Sequence, residues 1–328
     1  MPPMSTSGTP ILCRSVAGLA RRVRETPARA AVGVIVFIAA YLGAMRIGVG
    51  ELKPVQLLLC APLVLVFGGE GPRRFFSGML PLWLFGIVYD MTHITEPFFR
   101  YLHIHVVEPY WFDKTLFAIR TAEGVLTPNE FFAIHHWPWV DFITGLSYIL
   151  FIYWPFGFAA GLAIFRRDEV GRRLLMRFGW TFLIMNIVGF ATYYIYPAAP
   201  PWYVAKYGLG PANLSAQSSA AGAARFDALT GLSYFAAFYG HSADVFGAIP
   251  SLHPTYPLLT FLYGRELGKR WLDLASFGLF ALVAFAAVYL DHHYILDVAL
   301  GILYTLAAWR IELAIEKRRR ARAEVKVA

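Results

Sequence analysis

Apolar runs of near membrane-crossing length recur along this chain, and they restrict its fold more than any other feature. They fall at about 30–49, 54–69, 73–92, 140–165, 175–197, 249–264, 271–290 and 294–314. Inside a bilayer each backbone N–H and C=O must find a partner within the protein, so runs of this kind become helices. A straight crossing takes roughly 20 residues. The run at 54–69 is the weakest and is a candidate re-entrant or interfacial hairpin. Apolar residues make up 58% of the 328 and charged residues 15%, against roughly a quarter charged in soluble domains. The expected fold class is an all-α polytopic membrane protein.

The formal net charge is +8. Its basic residues lie in short clusters between apolar runs, with no Gly-rich phosphate loop or basic recognition helix, so nucleic acid is not an expected partner. Arg73-Arg74, Arg166-Arg167 with Arg172-Arg173, Arg265 with Lys269-Arg270, and Lys317-Arg318-Arg319-Arg320 fall on the N-terminal side if all eight runs cross. By the positive-inside rule that side is cytoplasmic. The stretches around 93–137, 198–248 and 291–293 are poor in Lys and Arg, carry most of the histidines, and fall on the outer face. Residues 1–29 hold five arginines and read as a cytoplasmic tail, because the apolar run that follows lacks a small-residue cleavage site. Cys13 and Cys60 are poorly placed for a bridge, and two cysteines make no zinc site.

Two stretches carry the chemistry. One is Phe246-Gly247-Ala248-Ile249-Pro250-Ser251-Leu252-His253 and the other Tyr289-Leu290-Asp291-His292-His293-Tyr294-Ile295-Leu296-Asp297. His293 and Asp297 are four residues apart, on one face of a helix. A carboxylate there fixes one imidazole tautomer and leaves the other nitrogen free to attack. His253 is then the candidate acid that protonates a leaving group. The bland alternative is a structural hydrogen bond in a helix bundle, but ionisable groups within spans are costly and usually functional. The pattern points to phosphoryl transfer through histidine at the outer face.

Other residues invite weaker assignments. His292 points away from His293 on a helix and suits a supporting or surface role. His103 and His105 with His135-His136 raise the question of a metal, but paired histidines beside Trp are commonly headgroup-level residues, and no metal or other cofactor is expected. His241 and Asp244 either touch substrate or form a loop turn. Asp90 either holds a polar acceptor or pairs with a neighbouring loop. The aromatic and Pro-rich outer segments, including Tyr196-Pro197-Ala198-Ala199-Pro200-Pro201-Trp202, suit the headgroup level. The Ala-, Gly- and Ser-rich stretch 209–224 is expected to be mobile.

At the two histidine stretches the chain resembles the type 2 phosphatidic acid phosphatase superfamily, and within it the inositol phosphorylceramide synthase branch with its bacterial relatives. Gly247 to His253 is similar to that branch's second motif, His292 to Asp297 to its third, and Tyr196 to Trp202 to the Pro-rich segment before the second. The resemblance covers roughly residues 73–314 and implies a six-helix catalytic core. Residues 30–72 add two N-terminal hydrophobic helices, and 315–328 form a basic cytoplasmic tail. It also implies that His293 is the nucleophile, Asp297 its orienting partner and His253 the acid and later base. Two departures stand out. The superfamily's Lys-x6-Arg-Pro motif is not apparent before Pro197, and Ala286 and Ala287 occupy the positions of its Ser-Arg pair. Lys206 and Arg225 are candidates for the missing phosphate-binding cations. Ser251, Tyr196, Trp202, His292 and Asp90 complete the expected substrate-binding set.

The reading is a transferase that moves a phospho-headgroup, phosphoinositol in the first place, from a phospholipid such as phosphatidylinositol to the hydroxyl of a ceramide-like or diacylglycerol-like lipid, with both partners in the bilayer. The first alternative is a lipid phosphatase acting on phosphatidic acid or a polyprenyl phosphate. A proton-relaying transporter is the second, and it predicts polar residues near the midplane of several spans.

Overall fold

A computed structural model describes residues 27–240 and 245–325. Among the described residues, six helices are long and apolar enough to cross a membrane. They are α1 (Pro27–Gly48), α3 (Glu70–Thr95), α6 (Pro138–Phe165), α7 (Glu169–Ile195), α12 (Arg270–Tyr289) and α13 (Ile295–Val325). The remaining helices are short: α2 (Pro54–Cys60), α4 (Val107–Leu116), α5 (Pro128–Ile134), α8 (Pro201–Tyr207), α9 (Ala224–Thr230), α10 (Tyr234–Gly240) and α11 (Thr255–Gly264). One small antiparallel hairpin, β1 (Ile119–Thr121) and β2 (Gly124–Leu126), joins α4 to α5.

Two of the eight expected spans come out short. The run at 54–69 is α2 followed by seven residues of 3-10 helix, Ala61–Phe67. At about 1.5 and 2.0 Å per residue these extend roughly 25 Å. In the run at 249–264 only α11 is helical, because the chain bends at Pro250 and turns at His253-Pro254 before the helix begins at Thr255. Nearly all of α11 is buried, so protein rather than lipid surrounds it and its length need not match a bilayer.

The chain divides into two compact units. The first comprises 27–94, 157–184 and 307–325 of the described residues. Its packing centres on Tyr41, Met45 and Ile87, with Trp83 and Ile94 against them. Here Arg177 grips Glu312 with Nε and Nη2 at 2.7 and 2.8 Å, and Arg173 pairs with Glu316. A bidentate guanidinium satisfies a carboxylate that would otherwise be costly to bury.

The second unit comprises 95–156 and 185–306 and holds both histidine stretches. In it α11 packs on α12, and α12 carries α5. The segments 93–137 and 198–248 are not open loops, since short helices α4, α5, α8, α9 and α10 fill them. The stretch 209–224, expected to be mobile, is pinned at its end: Gly222 N–H donates to Leu290 O at 2.9 Å. A side chain at Gly222 would meet the Leu290 backbone at 2.9 Å, so only glycine permits this approach.

Candidate active site

The site is assembled on three short extended segments. Ala198, in the Pro-rich segment, bridges in parallel to His105 on one side and to Gly247 on the other. Its neighbours complete the ladder. His105 N–H donates to Pro197 O at 2.8 Å, Ala199 N–H to His105 O at 2.9 Å, and Ala198 N–H to Phe246 O at 2.8 Å. Prolines suit this middle segment because their fixed φ favours extended backbone. The ladder delivers the Gly247-to-His253 stretch to the start of α13, where Ser251 N–H donates to the Asp297 carbonyl at 2.9 Å. Gly301, one turn further along α13, lies so close to the Ser251 carbonyl that a Cβ there would collide with it.

The second stretch turns at Asp291, which sits at φ 65°. Aspartate tolerates this left-handed region better than most residues. The turn ends α12 and lets the N–H groups of His292 and His293 both donate to Ala287 O, at 3.1 and 2.9 Å. The alanines at 286 and 287 are fully buried. The N-terminus of α13 is capped from a distant part of the chain. Asp113, on α4, accepts Ile295 N–H at 2.7 Å and Leu296 N–H at 3.1 Å. Burial pushes the Asp113 carboxyl up to about 6. Asn129, on α5, donates to Val288 O and His293 O, both at 3.0 Å. Neither residue was singled out from sequence, because a polar residue 159 to 183 positions away leaves no local pattern pointing to its partner.

His293 is 5% exposed and Asp297 fully buried. His293 Nδ1 lies 3.0 Å from Ala248 O and 3.3 Å from Asp297 Oδ2. Ala248 O can only accept, so Nδ1 carries the proton and Nε2 holds the lone pair. Asp297 Oδ2 also accepts Tyr294 N–H at 2.9 Å, which fixes the carboxylate. His293 Nε2 faces His253 Nδ1 at 2.9 Å, so His253 donates there. Burial, then repulsion from His293 and His292, hold His253 well below the ordinary imidazole range. It is therefore neutral near pH 7 until a negative group arrives between the rings.

The expected trio of His253, His293 and Asp297 thus comes together. His292 is buried, not a surface residue. Its ring lies between Tyr148 and Tyr239, nearly parallel to both, with centroids 5.4 and 4.5 Å away. Tyr148 also stacks on His253 at 4.5 Å. Burial first, then His293, push His292 down to about 3. Ser251 is fully buried two residues before His253. The atoms Ser251 Oγ, Tyr148 Oη, His292 Nε2 and Asp297 Oδ1 have no hydrogen-bond partner among the described residues. They leave polar capacity beside the histidine pair.

Trp202 is buried and its backbone N–H donates to Asp291 O at 3.2 Å. Tyr196 packs against Ala198, Ala248 and Ile249 and stacks on His105 at 3.7 Å. Arg225 reaches the histidine turn, with Nη2 3.3 Å from Tyr289 O. Its Nε is committed to Asp141 Oδ1 at 2.6 Å, and Asp141 also faces Tyr289 Oη and His136. Lys206 is exposed, with Nζ over the Tyr207 ring at 5.2 Å. Asp90 belongs to the first unit, where it accepts Tyr41 Oη at 2.7 Å and Gln56 Nε2 at 3.0 Å. That arrangement is a pairing within its own unit and does not join Asp90 to the histidines. His241 and Asp244 lie outside the described residues. The four histidines considered for a metal divide: His136 faces Asp141, and His135 packs on Phe131. His103 and His105 converge elsewhere, with Glu108.

Residues 114–311 match the family model of the PAP2 superfamily. A phosphoinositol dihydroceramide synthase from Bacteroides thetaiotaomicron is 39% identical over 278 residues, 84% of this chain and 89% of that protein. The inositol phosphorylceramide synthase of Candida albicans is 33% identical over 175 residues, 52% of this chain and 35% of that protein. The catalytic subunit of the Saccharomyces cerevisiae inositol phosphorylceramide synthase is 34% identical over 167 residues, 49% of this chain and 39% of that one. The chain therefore spans well under half the length of these fungal relatives. No solved structure matches it significantly.

Proposed function

The chain belongs to the PAP2 superfamily, and on that premise we propose that it transfers phosphoinositol from a phospholipid to the hydroxyl of a ceramide-like lipid. The observation that carries this reading is the pairing of His293 Nε2 with His253 Nδ1 at 2.9 Å, with Asp297 on the far nitrogen of His293. The names of the bacterial and fungal relatives support phosphoinositol as the group and ceramide as the acceptor class.

The donor's phosphodiester enters between the two imidazoles. Its negative charge offsets the repulsion and burial that keep His253 neutral, so His253 takes up a proton. His293 Nε2 attacks phosphorus as the bond to the diacylglycerol oxygen breaks, and His253 gives that oxygen its proton. Asp297 and Ala248 O hold the Nδ1 proton while positive charge grows on the ring, as an orienting carboxylate does in other histidine-based sites. The acceptor hydroxyl then gives its proton to His253 and attacks the phosphohistidine, which breaks the P–N bond and restores both rings. Arg225, whose Nη2 reaches Tyr289 O at 3.3 Å beside the histidine turn, and the exposed Lys206 are the two candidate cations for the phosphate.

A phosphatase would run the same first step and use water in the second. The synthase relatives and the buried alanines at 286 and 287, where a phosphatase carries Ser-Arg, favour transfer. The site is read as opening on the outer face, with both termini cytoplasmic, from the distribution of Lys and Arg. A direct test uses donor labelled in its inositol ring, incubated without acceptor and quenched in base. Label should remain on the wild-type chain and be absent from His293→Ala; label retained by His293→Ala would assign the nucleophile elsewhere.

A further inference from the structure

Outside the histidine pair, a second group of ligating atoms converges on the same ladder. His103 and His105 are two apart in an extended stretch, so their rings project to one side. Glu108, in the first turn of α4, brings its carboxylate back toward them. His105 Nδ1 is 3.0 Å from Glu108 Oε1, and His103 Nε2 is 3.9 Å from the same oxygen. One ligand atom from each of the three lies within 4.8 Å of the others. The two rings meet edge to face with centroids 4.7 Å apart.

We propose that His103, His105 and Glu108 form a binding site for a divalent transition cation, zinc by the donor set. Zinc takes imidazole nitrogen and carboxylate oxygen at about 2.0–2.2 Å, which spaces tetrahedral ligand atoms roughly 3.3 Å apart. The two separations, 3.0 and 3.9 Å, bracket that spacing. His105 is already held in place: its backbone pairs with Pro197 and Ala199, and its ring stacks on Tyr196. Closure then needs movement only of His103 and Glu108, whose side chains are 77% and 51% exposed. Three protein ligands leave one position for water or an oxygen of a bound molecule. The cation would tie the His105 segment to α4, which carries the Asp113 cap of α13. It would thereby stabilise the folded ladder by mass action, without entering the bond changes at phosphorus.

The test uses the full chain, purified in detergent, stripped with chelator and desalted. It is titrated with Zn2+ against a chromophoric chelator, and with Co2+ followed by its visible absorption. One equivalent per chain is expected, with Co2+ bands of tetrahedral character and a melting temperature raised by Zn2+. Glu108→Gln and His103→Ala, both at exposed positions that leave the fold intact, should weaken binding at least tenfold and remove the thermal shift. His293→Ala and the His135→Ala/His136→Ala double variant should bind as wild type. No stoichiometric binding would mean that the three residues form only a hydrogen-bonded ion pair, and would overturn the proposal. So would binding unchanged in both site variants, or lost in His293→Ala, which would place the ion on the catalytic histidines.

Discussion

His293 has its Nδ1 committed to Ala248 O and Asp297, and its Nε2 turned to His253. Its removal leaves no nitrogen in position to attack, so His293→Ala should show no measurable transfer. Asp297→Asn should keep a small residual rate, about a hundredfold or more below wild type, because the ring loses its orienting charge. Steady-state rates of the purified variants check both. A second residue-scale prediction concerns His292. It sits at about 3 in the folded chain against an ordinary 6.5, so the unfolded chain takes up the proton first as pH falls. The stability present above pH 6.5 is therefore lost as pH drops toward 3. The melting temperature in detergent should fall across that window, and fall less in His292→Phe, which keeps an aromatic ring between Tyr148 and Tyr239. Equal slopes would remove His292 as a source. The meeting of His253, His293 and Asp297 was legible in the sequence because histidine and aspartate four apart at the edge of an apolar run have few other uses, although His293 lies in the turn before α13 and not on the helix itself. The pairing of Asp90 with Tyr41 and Gln56 was not, since an intramembrane carboxylate does not reveal which hydroxyl or amide will reach it.

Among the elements, the start of α13 bears most of the geometry, and its support is borrowed from α4 and α5. Asp113→Ala removes both side-chain acceptors for the first N–H groups of α13, a loss of about 0.5–2 kcal/mol for a helix cap. Thermal unfolding should show that drop. Transfer activity should fall further than stability alone explains, because Asp297 lies in the same turn. Asp113→Asn, which keeps one acceptor oxygen, should recover part of both. If activity survives Asp113→Ala unchanged, the cap does not position the site. The long spans were legible from apolar length alone. The shortness of α11 was not, because a bend at Pro250 and a turn at Pro254 interrupt an apolar run without lowering its hydrophobicity. The five short helices of the outer segments were also missed. Each is seven to ten residues, too short to stand without tertiary packing, so their periodicity is weak.

For the whole molecule, the charge distribution predicts sidedness. With Cys13 and Cys60 replaced by serine, a cysteine at Ala205 should react with an impermeant maleimide from outside intact cells. One at Lys269 should react only after permeabilisation. Both positions are exposed, and neither has the positive φ of the neighbouring Gly208 and Gly268. Reversed labelling would place the histidines on the cytoplasmic face. Transfer to a lipid hydroxyl rather than to water is tested by offering the same purified enzyme in liposomes two reactions. One is phosphatidylinositol with ceramide, followed by mass spectrometry for a new phosphoinositol lipid. The other is phosphatidic acid alone, followed by release of inorganic phosphate. Transfer predicts the new lipid and diacylglycerol in equal amounts, both lost in His293→Ala, with little phosphate from phosphatidic acid. Rapid phosphate release with no phosphoinositol-ceramide product would contradict it.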